Sequence, residues 1–157
     1  MDRQRLLEAC WDRLNIFYSR LFRKKSVPNE DFVYRRIHPT WQKGPGKVST
    51  AAFTQQELSV DLASLTVAER TLRRGKDPDF GVAKLSVHKI RILPVNEKFR
   101  QEVEHAPRIF NWAHTHVNGK KTDAVKKKLT ECAEMVIDTK AYRLVTSPQT
   151  IDSRPLE

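Results

Sequence analysis

His114-Thr115-His116 is the only close pair of histidines in the chain. On a strand, side chains alternate, so both imidazoles would face the same side. That geometry suits a phosphate held by neutral or protonated rings, or a metal completed by a carboxylate from elsewhere. Two ligands are too few for a metal site, and packed or half-exposed histidines are the plain structural alternative. Lys120 and Lys121 follow closely, and Asn118-Gly119 would bring backbone amides toward the same anion.

A second set is Tyr34-Arg35-Arg36-Ile37-His38-Pro39. Alternation sends one arginine of the pair toward the core side, where it needs a carboxylate or a phosphate. Glu57, Asp61 and Glu69 are the structural partners to expect; a phosphate clamp is the functional reading.

The surrounding charge favours an anionic partner. Lys plus Arg number 29 against 19 Asp plus Glu, a net charge of +10. Arg35, Arg36, Lys43 and Lys47 fall in an acid-free stretch, and Lys120, Lys121, Lys126, Lys127 and Lys128 crowd residues 120–128 against the single acid Asp123. Cations at a helix amino end oppose the helix dipole, so an anion there or simple solubility would explain the second group. A chain with such patches is expected to meet a polyanion, because each phosphate neutralised releases a condensed counterion. Cys10 and Cys132 lie far apart with no zinc spacing, which fits a reducing cytoplasm. No apolar run is long enough to span a bilayer, and Met1-Asp2-Arg3 leads into no signal-peptide core.

The elements that must position these residues follow from periodicity. Leu6, Cys10, Leu14, Phe17 and Leu21 recur at helical spacing within residues 3–23, with Leu7, Trp11, Tyr18 and Phe22 beside them. This amphipathic helix either docks on its own domain, binds a partner or lies on a membrane surface. Residues 32–37 alternate as a strand, and 48–53 read as a second one beside it. Thr66 and Glu69 have capping-box spacing for a short helix ending at Gly75. Residues 80–93 alternate with a change of phase near His88, which predicts a bulge or a bend between two strand halves. Asn96 would cap a short helix through Glu104, and 108–117 alternate again until Asn118-Gly119 turns the chain. Thr122 caps the strongest helix, with Val125, Leu129, Cys132, Ala133 and Val136 as its buried stripe. Tyr142 to Val145 reads as a last strand.

No phosphate-binding glycine loop, zinc-protease or nucleophile-elbow motif is present. The order Tyr34-Arg35-Arg36, His38-Pro39, Gly46 to Phe53, Leu58 to Asp61 and Glu69 resembles small uncharacterised bacterial proteins of that pattern. It is also distantly similar, over residues 32–70, to NAD-consuming toxins of the RES type with the ADP-ribosyltransferase fold. That resemblance implies Arg36 or Arg35 on NAD phosphate, Ser49 and Thr50 lining a nicotinamide pocket, and Glu69 as catalytic carboxylate; the GGRWN-like segment of such toxins is absent.

The sequence thus predicts an α+β fold: a mainly antiparallel sheet of about five strands packed by two or three helices, plus the N-terminal amphipathic helix. Residues 1–25 form that helix, 30–146 the domain and 147–157 a flexible tail. The function expected is a cytoplasmic nucleic-acid-associated binding module, a subunit or accessory of a larger bacterial assembly, without catalysis or cofactor. Its phosphate contacts would be Arg35, Arg36, Lys43, Lys47, His114, His116, Lys120, Lys121 and Lys126 to Lys128. The alternatives are an NAD-using ADP-ribosyltransferase-like enzyme acting through Arg36, Ser49 and Glu69, and an adaptor binding a protein partner through the N-terminal helix.

Overall fold

The computed structural model describes residues 10–14, 16–17, 25–75, 77–92 and 100–146, the last three as backbone. The alternation at β1 (Phe32–Ile37) makes the centre of an antiparallel sheet, with Val33, Arg35 and Ile37 buried. β1 pairs on one side with β4 (Glu57–Leu62) and on the other with β5 (Gly81–Ser86). β7 (His114–Asn118) joins β4, β6 (Glu102–His105) joins β7, and β8 (Glu134–Ile137) joins β5, giving the order β6-β7-β4-β1-β5-β8. A small separate hairpin of β2 (Gln42–Gly44) and β3 (Lys47–Val48) turns at Gly46, whose φ of +69° favours glycine. The fold is therefore α+β with six main strands where the periodicity predicts about five. Among the described residues no helix is long and apolar enough to cross a membrane.

Period two divides each strand between two faces. Val33, Ile37, Leu58, Val60, Leu62, Leu85 and Val117 share one face and join Phe53, Val125 and Leu129 in the core. α3 (Asp123–Cys132), begun by the Thr122 hydroxyl accepting from the Val125 amide at 3.3 Å, covers that face together with the 3-10 turn Thr50–Phe53. Each such fully buried large side chain stabilises by about 1.5–3 kcal/mol. The opposite face carries Tyr34 and Arg36 from β1, Glu57, Ser59 and Asp61 from β4, and His114 and His116 from β7, with Asp61 opposite both Tyr34 and His114 and Ser59 opposite His116. α1 (Ala68–Arg73) packs over β1 and β5 on this side.

Several expectations are corrected. Of 48–53 only Val48, the end of β3, is strand; Thr50–Phe53 turns inward because Ala52 and Phe53 anchor it in the core. The Thr66–Glu69 capping box is not made: α1 begins after Val67, and the Thr66 hydroxyl is turned into the interior without a partner, while Glu69 stays exposed in the first turn. Beyond Ser86 the chain does not bulge but enters α2 (Val87–Arg91), since Val87 and Ile90 at helical spacing are both buried. Glu102–His105 is a strand and not the end of a helix, and residues 93–99 lie outside the described residues. The alternation at 108–113 is interrupted by a tight turn in which Arg108 and Asn111 exchange backbone hydrogen bonds of 3.0 and 2.9 Å. α3 stops at Cys132, which puts Val136 on edge strand β8, and Tyr142–Val145 falls within a helix, α4 (Lys140–Thr146). The predicted tail at 147–157 lies outside the described residues.

Candidate functional site

Tyr34, Arg36, Ser59, Asp61, Thr71, Arg74, Arg108, Phe110, Asn111 and His114 line a cleft of about 290 Å³ on the polar face of the sheet. Its walls are tied together by Asp61. The Asp61 carboxylate accepts from the Thr71 hydroxyl at 2.8 Å, the Arg74 guanidinium at 2.9 Å and the Asn111 amide at 2.8 Å. One carboxylate thus clamps α1 and the Arg108–Asn111 turn onto β4. Arg36 and Arg108 have no carboxylate partner among the described residues. Arg36 lies close across Gly75: a Cβ there would stand 2.5 Å from an Arg36 terminal nitrogen and 3.2 Å from its Cδ. The cleft therefore holds three guanidinium groups against one carboxylate, which already accepts three hydrogen bonds.

The two-residue turn Ile109-Phe110 presents an aromatic ring at the rim. Phe110 has φ +66°, a left-handed conformation rare for a bulky side chain, and is 87% exposed. Such a backbone costs of order 1–3 kcal/mol. Its ring meets Trp11 edge-on at 6.3 Å between centroids. Beside it, Asn111 turns its Nδ2 to Asp61 and leaves Oδ1 buried without a hydrogen-bond partner.

His114 and His116 do face the same side, as the alternation predicts. Their Nε2 atoms are 2.9 Å apart with the rings nearly perpendicular. His114 Nδ1 stands 3.4 Å from the Ser59 hydroxyl, and His116 Nδ1 stands 3.4 Å from a Glu57 carboxylate oxygen. Burial, then the charges of Arg108 and His116, push His114 down to about 3, so this ring is neutral at neutral pH. Among the described residues no group of three or more His, Cys, Asp or Glu could hold a metal ion.

The basic residues singled out by sequence divide sharply. Arg36 and His114 line the cleft. Arg35 does not: it is 5% exposed, donates to the Ala52 and Ser59 carbonyls at 2.8 and 3.0 Å, and lies 5.7 Å from the Trp41 ring centre. Among the described residues backbone carbonyls, not the expected carboxylate, meet this inward guanidinium, and burial lowers its pKa to about 10. Lys121 is likewise buried, donating to the Gln56, Val117 and Gly119 carbonyls, with its pKa lowered by burial to about 8. These two are structural cations. Lys126 pairs with Asp123 and Lys128 with Glu131, while Lys127, Lys120, Lys43 and Lys47 are exposed away from the cleft lining. Ser49 is buried and Glu69 exposed, and neither lines the cleft that Arg36 enters. Of the proposed partner-binding row, Cys10, Leu14 and Phe17 are exposed in a helical segment, and Leu6 and Leu21 lie outside the described residues.

Ser59, Asp61, Arg74, Arg108 and Asn111 do not stand out in the sequence as site residues because they converge from segments up to 50 residues apart. One signal is present: Glu57, Ser59 and Asp61 occupy alternate positions in an otherwise apolar run, the same period that aligns His114 and His116. Pairing those two polar rows locates the site. No protein-family model matches the chain, and no curated protein or solved structure matches it either.

Proposed function

We propose that the protein is a nucleic-acid-associated binding module that takes one nucleotide unit of its target into this cleft, phosphate first. The observation that carries the reading is the meeting of Arg36, Arg74 and Arg108 in one cleft whose lone lining carboxylate, Asp61, is engaged by Thr71, Arg74 and Asn111. A planar, always charged guanidinium matches phosphate bidentately, and arginines with no carboxylate opposite them hold positive charge for an incoming anion. Tyr34 and the exposed Phe110 give the cleft aromatic faces for a base, each stacking contact being worth about 1–3 kcal/mol. The orphaned Asn111 Oδ1 suits a sugar hydroxyl or base N–H donor.

Calorimetric titration of a nucleoside 5′-monophosphate against the matching nucleoside tests this. The reading expects binding that requires the phosphate and weakens at least ~10-fold in Arg36→Gln or Arg108→Gln, as removal of one charge-assisted hydrogen bond would produce. Equal affinity for nucleoside and nucleotide, or binding indifferent to both substitutions, would contradict it. The NAD-using alternative retains Arg36 in the cleft but draws on Ser49 and Glu69, which lie apart from it; nicotinamide release by wild type that disappears in Glu69→Gln would favour that alternative.

A further inference from the structure

Glu57, Ser59, His114 and His116 stand on adjacent antiparallel strands, with Ser59 directly opposite His116 and diagonal to His114. Their polar atoms form an unbroken series: Ser59 Oγ to His114 Nδ1 at 3.4 Å, His114 Nε2 to His116 Nε2 at 2.9 Å, and His116 Nδ1 to Glu57 at 3.4 Å. With both rings neutral, one set of tautomers fits the series. The Ser59 hydroxyl donates to His114 Nδ1 and the His114 Nε2–H donates to His116 Nε2, which leaves the His116 Nδ1–H on the side of the Glu57 carboxylate, 3.4 Å away at ion-pair distance. Ser59 and His114 belong to the arginine cleft, whereas Glu57 is an exposed residue outside its lining. The series therefore runs from the cleft to solvent. Arg35, from the apolar side of the sheet, holds the Ser59 carbonyl at 3.0 Å and so fixes the strand from which the hydroxyl projects.

From this arrangement we propose that Ser59 is a nucleophile for phosphoester cleavage, activated by a His114–His116–Glu57 proton relay. The proposal rests on the reading of the cleft as a phosphate site. A serine hydroxyl alone is a weak nucleophile, and a neighbouring base held in orientation by further groups is the arrangement that activates it. The two 3.4 Å links are long and shorten as the relay is engaged. Because burial and Arg108 disfavour charge on His114, the proton it accepts passes on to His116 in the same event.

In the first step the Ser59 Oγ–phosphorus bond forms and the bond to the leaving oxygen breaks. The serine proton passes to His114 Nδ1 as the Nε2 proton moves to His116, which becomes an imidazolium beside the Glu57 carboxylate. The leaving oxygen takes a proton from water, and the relay returns its own to solvent through His116. In the second step water attacks phosphorus and loses a proton to solvent as the Ser59–phosphorus bond breaks; the departing Ser59 oxygen takes the proton from His114 Nδ1, His116 returns a proton to His114 Nε2, and His116 Nδ1 regains one from solvent. Arg36, Arg74 and Arg108 hold the charge on the phosphoryl oxygens throughout, as phosphoryl transfer chiefly requires. Ser59 and His114 are the catalytic residues; His116 and Glu57 act through His114.

The test uses the full chain with 4-nitrophenyl phosphate and bis(4-nitrophenyl) phosphate, which separate monoester from diester chemistry. Nitrophenolate release is followed optically, binding by calorimetry and phosphoserine at Ser59 by mass spectrometry. Turnover of one ester is expected, with trapped phosphoserine, falling by at least ~10³-fold in Ser59→Ala and in His114→Asn while binding persists. Glu57→Gln, on the surface, is expected to lower kcat by about 10-fold at unchanged KM, a split that a merely structural role would not produce. Binding without turnover of either ester overturns the relay and leaves the phosphate reading standing; absence of binding overturns both. Turnover that survives Ser59→Ala in a variant of native circular dichroism also overturns the assignment.

Discussion

Arg35 and Arg36 are neighbours in sequence and opposites in structure. Arg35 points into the covered face of the sheet and spends its donors on the carbonyls of Ala52 and Ser59, whereas Arg36 points to the open face and meets no carboxylate among the described residues. The same division separates Lys121, wrapped by three carbonyls, from the exposed Lys47 and Lys127. Positive charge is thus of two kinds here. One kind is neutralised by the fold and stabilises it; the other is left over by the fold and is available to a ligand.

Removing the first kind should have the largest effect on stability. Arg35→Ala strips two buried carbonyls of their donor and opens a void beside Phe53, Leu58 and Leu85, which with it line one small internal space. Each unpaired acceptor costs about 1–3 kcal/mol and the void adds to it, so a decrease of ~3–5 kcal/mol is expected in urea unfolding. Arg36→Ala should leave stability within about 0.5 kcal/mol, as an exposed substitution does. A comparable decrease in both would erase the distinction between the two faces.

Acid should act next, through His114. The ring is held neutral, with a folded pKa of about 3 against 6.5 when unfolded, by burial and by Arg108, His116 and Arg74, opposed by Asp61. Between those values the unfolded chain binds a proton that the folded chain refuses, so stability is full above 6.5 and falls as pH drops toward 3. The slope from this one group is at most ~1.4 kcal/mol per pH unit. His114→Gln should flatten the curve across that window, measured as unfolding midpoints against pH; unchanged acid sensitivity would show that His114 has no part in it.

Much of this is legible in the sequence, for identifiable reasons. β1, the Asn118-Gly119 turn and the Thr122 cap follow from local alternation and turn chemistry, which the tertiary structure leaves intact. Helix α2 is not legible because Val87 and Ile90 fit a shifted strand as well as a helix, and only burial of both decides. α4 is hidden because Tyr142 to Val145 has strand-forming residue types, while β8 already occupies the sheet edge beside β5. The site is half visible. His114, His116 and Arg36 stand out by type and spacing, but Asp61 gathers Thr71, Arg74 and Asn111 from other segments, and no local pattern encodes that convergence.

A small effect on the fold, of opposite sign, is expected at Phe110. Glycine accepts φ +66° freely, so Phe110→Gly should raise stability by about 1 kcal/mol or less while removing the stacking ring. Nucleotide affinity should fall by ~1–3 kcal/mol, read by the same calorimetric titration. A variant that is both more stable and an equally good binder would show the ring to have no part in recognition.

The division of charge is tested most directly by oligonucleotide affinity across salt concentrations for three proteins: wild type, the Arg36→Gln/Arg108→Gln pair and the Lys126→Gln/Lys127→Gln/Lys128→Gln triple variant. Removing one cation from a phosphate lowers the slope of log affinity against log salt by about 1. If the cleft arginines carry the binding, the pair should lower the slope by about 2 and abolish most of the affinity. The triple variant, whose Lys126 and Lys128 are paired with Asp123 and Glu131, should change far less. The reverse result, with the helix lysines carrying the salt dependence and the arginine pair binding like wild type, would contradict it.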